Sequence, residues 1–464
     1  MIATQIFKAY DIRAIYPSEM DEESIAVITK AIYTLFTNKA KKQNLQVVVG
    51  GDMRVSTPSL SKVVKETLVE MGANVIDVGL VSTPTFYFAV RTLKADAGIQ
   101  ISASHNPKEY NGMKIVRNTE GGLIKIGTTT GMDEIKTMAI DNNFPVTTTS
   151  RGSITQVDTV LNTEVENSIR LAESPEISPL KVVADAANAM GAQYLDALFK
   201  KLPCTLIKMN FELDGTFPAH QPDPLQFDTL IDLQKKVIDE KADLGIAPDG
   251  DGDRVFFIDE KGQVIPASMI TALVAKELLS RHPGEKIAFD VRSTMTPMKS
   301  VTEHGGVPIL TRVGHALITE TMHKENVLFA GESSGHYYFR ETGFAESLMP
   351  VILIVLSVIS REKKPISELI EPLRGSYESG EINFKLNSKE DTAESITKLK
   401  ETFGTGTISE LDGVCVDFPE WRFSVRSSNT EPLLRLNIEA KTKELLDTKK
   451  QILISQMQSL QNPN

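Results

Sequence analysis

The chain has 464 residues, of which 41% are hydrophobic, and this is enough for three or four domains of roughly 100–200 residues. Its 50 basic and 61 acidic residues give a net charge of −11, which argues against general binding to nucleic acid or membrane, so an anionic ligand needs a local basic pocket. Cys204 and Cys415 match no disulfide or zinc spacing, and there is neither a signal sequence nor an apolar run of roughly 20 residues. We expect a cytoplasmic protein.

A unit of strand, helix and strand recurs three times along the chain. Each copy begins with a β-branched run that ends in aspartate, which is typical of a buried strand. These runs are 47–52, 182–185 and 287–290. The first two are followed by amphipathic helical patterns, and the third helix is less clear. In each copy a later strand leads into a polar loop with glycine, which predicts three α/β domains with one ligand-binding loop each.

The chain changes character after an apolar run at 348–359, which we interpret as a buried helix. A helical stretch, short strands and a terminal helix then predict a smaller α+β domain. The predicted fold is three similar α/β domains with mixed sheets and this C-terminal domain. The predicted boundaries are 1–148 for the serine loop domain, 149–257 for the aspartate loop domain, 258–375 for the third loop domain and 376–464 for the last domain.

The loop D-G-D-G-D-R, residues 249–254, carries three carboxylates on alternate positions with glycines between them. Oxygen donors at this spacing, on a backbone that can fold around a small ion, suit a hard cation such as Mg²⁺. An EF-hand begins in the same way, but Arg254 stands where that loop needs glycine, and the flanks are typical of strands. A solvated acidic hairpin turn is the remaining alternative.

The loop I-S-A-S-H-N-P, residues 101–107, places a serine after a buried strand and before a rigid turn, as a nucleophile requires. On its own this pattern favours a structural serine turn over a nucleophile. Lys114, further along, could neutralise a phosphate. The loop G-E-S-S-G-H, residues 331–336, offers side chains that bind sugar hydroxyls, and R-S-S-N-T-E-P, residues 426–432, suits a phosphate dianion. Each of these two loops could also be a polar turn.

In this order the four loops resemble those of the α-D-phosphohexomutase family, within it the bacterial phosphomannomutase/phosphoglucomutase branch. The resemblance runs from F-K-A-Y-D-I-R (7–13) to the loop at 426–432. It implies four domains around a central cleft and interconversion of hexose 1- and 6-phosphates through a phosphoserine. A hexose 1,6-bisphosphate is then the intermediate and activator, and the protein is a monomer or weak dimer.

The resemblance also implies a role for individual residues. Ser104 resembles the phosphorylated serine, and a phosphoryl oxygen on it would complete the Mg²⁺ site, with one ion per chain. The metal ligands on the protein are Ser104, Asp249, Asp251 and Asp253. Residues around the reacting groups are Arg13, His105, Lys114, Arg254, His315 and His336, and His315 and His336 are the candidates for the general acid or base. Substrate-binding residues are Glu332, Ser334, Arg426, Ser427, Ser428, Asn429 and Thr430.

Several positions depart from the family pattern and concern fine specificity. Ala14 and Ser333 replace a usual glycine and a frequent methionine, Arg292 stands where lysine is common, and 345–347 reads A-E-S in place of D-D-G. The alternatives are a phosphoglucosamine mutase, a phosphosugar-binding protein without activity, and a phosphatase that uses Asp249 as nucleophile. The preferred hexose, the pathway and the direction are left open by the sequence.

Overall fold

The computed structural model describes residues 2–144, 150–385, 389–427 and 433–461. The chain forms two compact units. The first comprises Met1–Ile265, Met322–Lys324 and Ser334–Leu369, and the second comprises Pro266–Thr321, Glu325–Ser333 and Ile370–Asn464. Among the helices of the described ranges, none has the length and apolar character that a membrane span requires.

The first sheet contains strands of both directions. Its elements are β1 (Ile12–Ile15), α1 (Glu22–Ala40), β2 (Gln46–Gly51), α2 (Thr57–Glu70), β3 (Asn74–Leu80), α3 (Thr83–Thr92), β4 (Ala97–Ile101), β5 (Tyr110–Thr119), β6 (Gly122–Lys125), α4 (Met132–Asp141) and β7 (Ile154–Gln156). The sheet order is β1-β5-β4-β2-β3-β7, with β6 paired to β5. Strands β4, β2, β3 and β7 are parallel, and β5 is antiparallel to β4 and β1.

The second sheet repeats this arrangement. Its elements are α5 (Val160–Leu171), β8 (Lys181–Asp185), α6 (Gly191–Phe199), β9 (Thr205–Met209), α7 (Ile231–Glu240), β10 (Leu244–Pro248), β11 (Val255–Ile258) and β12 (Val264–Ile265). Strand β8 lies between β9 and β10 and is parallel to both, and β11 is antiparallel to β10. The first strand of each repeat therefore has a strand on both sides: β2 lies between β4 and β3 in the first sheet, and β8 lies between β10 and β9 in the second.

The third copy begins in the second unit. Its elements there are α8 (Ala267–Arg281), β13 (Lys286–Asp290), α9 (Met295–Glu303), β14 (Val307–Thr311), α10 (His315–Glu325) and β15 (Phe329–Gly331). Strand β13 lies between β14 and β15 and is parallel to both. The chain continues in the first unit with β16 (Tyr337–Phe339), β17 (Ala345–Glu346) and α11 (Met349–Glu362), followed by α12 (Ile366–Ile370). Helix α11 is buried from Met349 to Ser360, which confirms the predicted buried helix.

The C-terminal domain has an antiparallel sheet. Its elements are β18 (Tyr377–Glu378), β19 (Ile382–Lys385), α13 (Lys389–Thr402), β20 (Thr407–Ser409), β21 (Val414–Asp417), β22 (Trp421–Ser427), β23 (Leu433–Ala440) and α14 (Lys443–Gln461). The order is β18-β23-β22-β21-β20, with β19 also paired to β23. Short 3₁₀ helices occur at Thr4–Ile6, Phe227–Leu230, Arg340–Thr342 and Glu371–Leu373. The predicted fold, three similar α/β domains with mixed sheets and a smaller α+β domain, is confirmed.

An aspartate at the end of the central strand turns the chain in each α/β domain. Asp52, Asp185 and Asp290 each accept a hydrogen bond from the backbone N–H of the residue two positions later, at 3.0, 3.0 and 2.8 Å. A short polar side chain that bonds its own backbone in this way stabilises a turn directly after a strand. The polar loops therefore leave the sheets at the carboxyl ends of their parallel strands, where ligands bind in open α/β folds.

Gly112 of β5 lies opposite Arg13 of β1. A Cβ atom on Gly112 would lie 2.0 Å from the carbonyl oxygen of Ile12 and 3.0 Å from that of Ser102. Both contacts are backbone, so the strand and the segment leading to the serine loop would have to move apart. We expect Gly112→Ala to lower the free energy of unfolding by about 1–3 kcal/mol, measured as the shift in the urea midpoint.

The matched control is Gly121→Ala in the turn after β5. There the nearest atom, Thr119 Oγ1, is 3.8 Å from the added Cβ, so we expect little change in the midpoint. Equal midpoints for the two variants would contradict the steric argument.

Candidate active site

The predicted nucleophile, Ser104, lies three residues after the end of β4 in an unusual backbone conformation. Its φ is +52°, in the left-handed region that residues other than glycine rarely adopt. Its N–H donates to Ser102 Oγ at 2.9 Å. Its own hydroxyl oxygen lies 3.2 Å from His105 Nδ1 and 3.3 Å from Asp249 Oδ2. Backbone strain of this kind is concentrated at functional sites.

The aspartate loop connects β10 and β11 and approaches the serine closely. Asp249 Oδ1 accepts hydrogen bonds from the backbone N–H groups of Asp253 and Arg254, at 3.0 and 3.1 Å, which closes the loop on itself. A Cβ atom on Gly250 would lie 2.4 Å from the carbonyl oxygen of Ser104. Glycine is therefore required where the two loops meet.

The three aspartates are buried, with exposed fractions of 0%, 0% and 2% for Asp249, Asp251 and Asp253. This excludes the alternative of a solvated acidic turn. The loop lies between two strands, β10 and β11, whereas an EF-hand loop lies between helices. Burial of three carboxylates on one loop requires nearby positive charge, because an unpaired buried charge is strongly destabilising.

Lys114 supplies that charge from β5. Its Nζ lies 2.6 Å from Asp251 Oδ2 and also pairs with Asp253 Oδ2. Burial disfavours the charged form of both Lys114 and Asp253, but their ion pairing outweighs burial. Asp251 and Asp253 raise the pKa of Lys114 well above its usual range. Lys114, and then His336, hold the pKa of Asp253 well below its usual range. Burial and the charges of Asp253 and Asp251 raise the pKa of Asp249 well above its usual range.

The chemistry of the three carboxylates fits a hard divalent cation. One oxygen from each of Asp249, Asp251 and Asp253 lies within 4.8 Å of the others, and Asp251 Oδ1 accepts no hydrogen bond from the described residues. Oxygen-only ligands of this kind suit Mg²⁺. Asp253, His336 and Glu346 also have ligand atoms within 4.8 Å of one another, but Lys125 forms an ion pair with Glu346 there.

Arg254 and His336 lie beside the aspartates in the first unit. His336 Nε2 is 3.2 Å from Asp253 Oδ1 and 3.3 Å from Arg254 Nε, and its Nδ1 is 2.9 Å from Ser334 Oγ. Arg254 Nε also lies 3.8 Å from Asp249 Oδ2. The structure therefore brings residues of two predicted loops, 249–254 and 331–336, into one cluster, which Ser104 joins through Asp249.

Arg13 and His105 border the serine on the side of β1. Arg13 Nε is 2.8 Å from Asp11 Oδ2, and its Nη1 donates to Asn106 Oδ1 in the serine loop. Burial of the ring, followed by the positive charges of Arg254 and Arg13, lowers the pKa of His105 well below its usual range. His105 is therefore neutral at physiological pH.

In the second unit, Glu332 is held by an arginine at the end of β13. Arg292 Nη2 donates to Glu332 Oε1 at 2.9 Å, and its Nε donates to Asp290 Oδ1 at 2.9 Å. The other oxygen of Asp290 accepts the backbone N–H of Ser333 at 2.7 Å. The third loop is thus anchored to the same aspartate that ends its central strand.

The remaining predicted residues of the second unit lie on β22 and at the start of α10. Arg426 Nη2 is 3.1 Å from Glu381 Oε2, and Ser427 is the exposed last residue of β22. His315 is the first residue of α10 and is half-buried. Ser428, Asn429 and Thr430 lie outside the described residues.

Three contacts to the site were not predicted from the sequence. Thr83, at the start of α3, donates from Oγ1 to Asp251 Oδ2 at 2.5 Å and from its backbone N–H to the Asp251 carbonyl at 2.9 Å. Gln221 donates to the carbonyl oxygen of His105, and Arg54 contacts the serine loop. The position of Thr83 could have been predicted, since S-T-P at 82–84 is typical of the start of a helix.

Family models match nearly the whole chain. They are the phosphoglucomutase/phosphomannomutase alpha/beta/alpha domains I, II and III, at residues 4–138, 160–262 and 266–377, and the C-terminal domain at 381–453. The phosphomannomutase of Vibrio cholerae is 38% identical over 442 residues, covering 94% of each chain. The phosphomannomutase/phosphoglucomutase of Pseudomonas syringae is 35% identical over 449 residues, covering 95% of this chain and 92% of that protein.

A solved structure agrees with these relatives. A phosphoglucomutase/phosphomannomutase family protein from Burkholderia thailandensis has a TM-score of 0.87 and 30% identity, and the match covers 100% of this chain and 99% of that one. The fold and the serine and aspartate loops define a four-domain α/β protein with a buried acidic site. The chain belongs to the phosphoglucomutase/phosphomannomutase family, which confirms the resemblance seen in its sequence.

We expect Lys114→Met to increase the affinity for Mg²⁺ by roughly tenfold, about 1.4 kcal/mol. The ammonium and a divalent cation compete for the same oxygens of Asp251 and Asp253, so removing the ammonium leaves the carboxylates to the metal. Isothermal titration calorimetry with MgCl₂ measures the change. Lys65→Met is the control, because Lys65 pairs with Asp77, which belongs to neither acidic group. Weaker metal binding in Lys114→Met alone would mean that Lys114 orders the carboxylates instead of competing for them.

Proposed function

We propose that the protein is a phosphohexomutase that interconverts the 1- and 6-phosphates of mannose, glucose or both. Phospho-Ser104 donates its phosphoryl group to the sugar, and a hexose 1,6-bisphosphate is the intermediate. The observation that carries the proposal is the position of Ser104 Oγ, 3.3 Å from Asp249, which lies on a loop whose two other buried aspartates are neutralised by Lys114. The cluster offers both a nucleophilic oxygen and the fixed charge that phosphoryl transfer requires.

The transfer is written as an in-line displacement. The bond from phosphorus to Ser104 Oγ breaks as a bond forms to the 1- or 6-hydroxyl oxygen of the substrate, and the hydroxyl proton passes to a base. Lys114 and Arg254 stabilise the negative charge of the phosphoryl oxygens during transfer. Bound at Asp249, Asp251 and Asp253, Mg²⁺ would supply further positive charge to the transferring group. The candidates for the base are His105, His336 and His315.

The second half of the reaction returns the other phosphate to the serine. The bisphosphate must turn end over end, so the substrate-binding residues have to accept it in two poses. Glu332 and Ser334 are proposed to bind the 3- and 4-hydroxyls, which exchange places on reorientation. Arg426, Ser427, Ser428, Asn429 and Thr430 are proposed to bind the phosphate that is not reacting.

The structure argues against a phosphatase with Asp249 as nucleophile. One oxygen of Asp249 already accepts two backbone N–H groups, and its pKa is raised well above its usual range by burial and by the two neighbouring aspartates. A carboxylate oxygen that already accepts two hydrogen bonds is a weaker nucleophile than a free one. A binding protein without activity would not need the serine and the three carboxylates together. The relatives, phosphomannomutases and phosphoglucomutases, favour mannose and glucose over glucosamine. A cytoplasmic monomer or weak dimer is part of the proposal.

We expect Ser104→Ala to abolish mutase turnover and to leave the protein unable to take up phosphate from a hexose 1,6-bisphosphate. Intact-mass spectrometry before and after incubation with glucose 1,6-bisphosphate measures the phosphate, and a coupled assay measures turnover. Ser153→Ala is the control, since it removes an exposed serine whose hydroxyl bonds only Asn74 among the described residues, and it should still gain one phosphate. Near wild-type turnover in Ser104→Ala would rule out the covalent mechanism.

We expect Glu332→Gln to reduce kcat/KM for mannose 1-phosphate and glucose 1-phosphate alike, by an amount corresponding to about 1.5–3 kcal/mol. The sugars differ only at the 2-hydroxyl, and Glu332 is proposed to bind the 3- and 4-hydroxyls in both poses. For the same reason the wild-type enzyme should accept both sugars within roughly tenfold, about 1.4 kcal/mol. Glu303→Gln, on the exposed face of α9, is the control. Loss of one sugar with retention of the other would contradict the assignment.

A further inference from the structure

Arg54 follows β2 and is one of the largest fully buried side chains of the described residues, with an exposed fraction of 1%. Arginine is almost never fully buried unless it is paired. Here one carboxylate accompanies it: Arg54 Nε donates to Asp52 Oδ2 at 3.2 Å. The ring of Phe217 covers the guanidinium at 5.2 Å. This enclosure keeps Arg54 from serving as a ligand for a phosphate in solution.

The other four N–H groups of Arg54 are directed at backbone carbonyls of the serine loop. Nη2 donates to the carbonyl oxygens of Ser104 and Asn106 at 2.8 and 2.6 Å, and Nη1 donates to those of Pro107 and Tyr110 at 2.7 and 2.9 Å. With Asp52, five acceptors match the five donors of one guanidinium. A single side chain thus fixes the backbone of the loop from Ser104 to Tyr110.

Ser104 is the residue of this loop that most needs such a contact. Its φ of +52° is unfavourable for a residue with a Cβ atom, and a strained conformation persists only where the surroundings fix it. Ser102 Oγ accepts its N–H, and Arg54 binds its carbonyl oxygen. The two contacts together determine the plane of both peptide groups that flank Ser104, and so the direction of its side chain.

The third domain uses the same arrangement at a second functional loop. Arg292 stands two residues after Asp290, as Arg54 stands two residues after Asp52, and each arginine donates from Nε to that aspartate. The free end of Arg292 reaches Glu332 of the third loop. In two of the three repeats, therefore, the turn after the central strand carries an arginine that connects the strand to a neighbouring polar loop.

We infer that Arg54 is a positioning residue for the nucleophile: it holds the serine loop in the strained conformation in which Ser104 Oγ faces Asp249. The expected effect of Arg54 on mutase turnover rests on the proposed function. The expected effect of Arg54 on the conformation of the serine loop does not rest on it, and it can be measured without an activity assay. Arg54 touches neither the sugar nor the phosphoryl group in this role, so substrate binding should be affected little.

The test compares Arg54→Lys with wild type and with Arg91→Lys. Lysine keeps the charge beside Asp52 but cannot bind four carbonyls. Arg91 is the control, because it also donates to a backbone carbonyl, that of Thr119, and its other acceptor is the side-chain oxygen of Asn118. Hydrogen exchange followed by mass spectrometry reports on the loop. Turnover with mannose 1-phosphate and phosphorylation of Ser104 by glucose 1,6-bisphosphate report on its consequence.

In Arg54→Lys we expect exchange to increase at residues 102–110 with the rest of the chain unchanged. We expect kcat and the rate of Ser104 phosphorylation to fall together by roughly 30- to 300-fold, with KM within about threefold of wild type. Arg91→Lys should change none of these. Asp52→Asn, which keeps Arg54 but removes its carboxylate, is the second variant and should show the same pattern to a smaller degree.

Unchanged exchange at residues 102–110 would overturn the inference whatever the activity. So would a fall in kcat matched by an equal rise in KM. If both variants lost exchange protection across the whole first unit, Arg54 would be a general folding residue and the inference would also fail. Absence of mutase turnover in the wild type is a different result: it would refute the proposed function, while the exchange data would still decide whether Arg54 positions the loop.

Discussion

The ion pairs of Lys114 with Asp251 and Asp253 are the contacts on which the site depends. Three carboxylates on one short loop cannot be buried together unless a positive charge is buried with them, because an isolated buried charge is destabilising by several kcal/mol. Lys114 comes from β5 of the first domain and the aspartates come from the second. The loop therefore has its present conformation only when these two domains are packed together, which makes the site a product of domain packing.

The repeated sheet explains how much of this could be predicted from the sequence. Each central strand is a short β-branched run that ends in aspartate, and this local pattern gave the three α/β domains correctly. The loops that follow the parallel strands were identified for the same reason, since strand ends fix where ligands bind. Ser104 and the aspartates at 249, 251 and 253 lie in motifs defined by residue type and spacing over a few positions. Such motifs can be recognised without knowledge of the tertiary structure.

The contacts that hold these loops were not predicted, because they join residues that are distant along the chain. Arg54 binds carbonyls some fifty residues later, Thr83 and Asp251 are 168 positions apart, and Lys125 and Glu346 are 221 apart. Moreover, every residue has a backbone carbonyl, so the sequence does not indicate which of them accept a hydrogen bond from a side chain. From the sequence, a buried arginine that donates to backbone carbonyls cannot be distinguished from a solvent-exposed arginine after a turn.

Two departures from the family pattern acquire a physical meaning in the structure. Glu346 is the one carboxylate in the A-E-S that replaces D-D-G, and it forms a buried ion pair with Lys125. Lys125 also lies over the rings of Tyr87 and Tyr338, so the carboxylate that is kept is neutralised by its neighbour. Arg292 replaces a common lysine, and its guanidinium donates to Asp290 and to Glu332 at once. A lysine ammonium is a compact point charge without this planar fork. Arg292 therefore fixes the orientation of Glu332. In this chain Glu332, the proposed ligand of the sugar, is held by the same kind of aspartate–arginine pair that we infer to position Ser104.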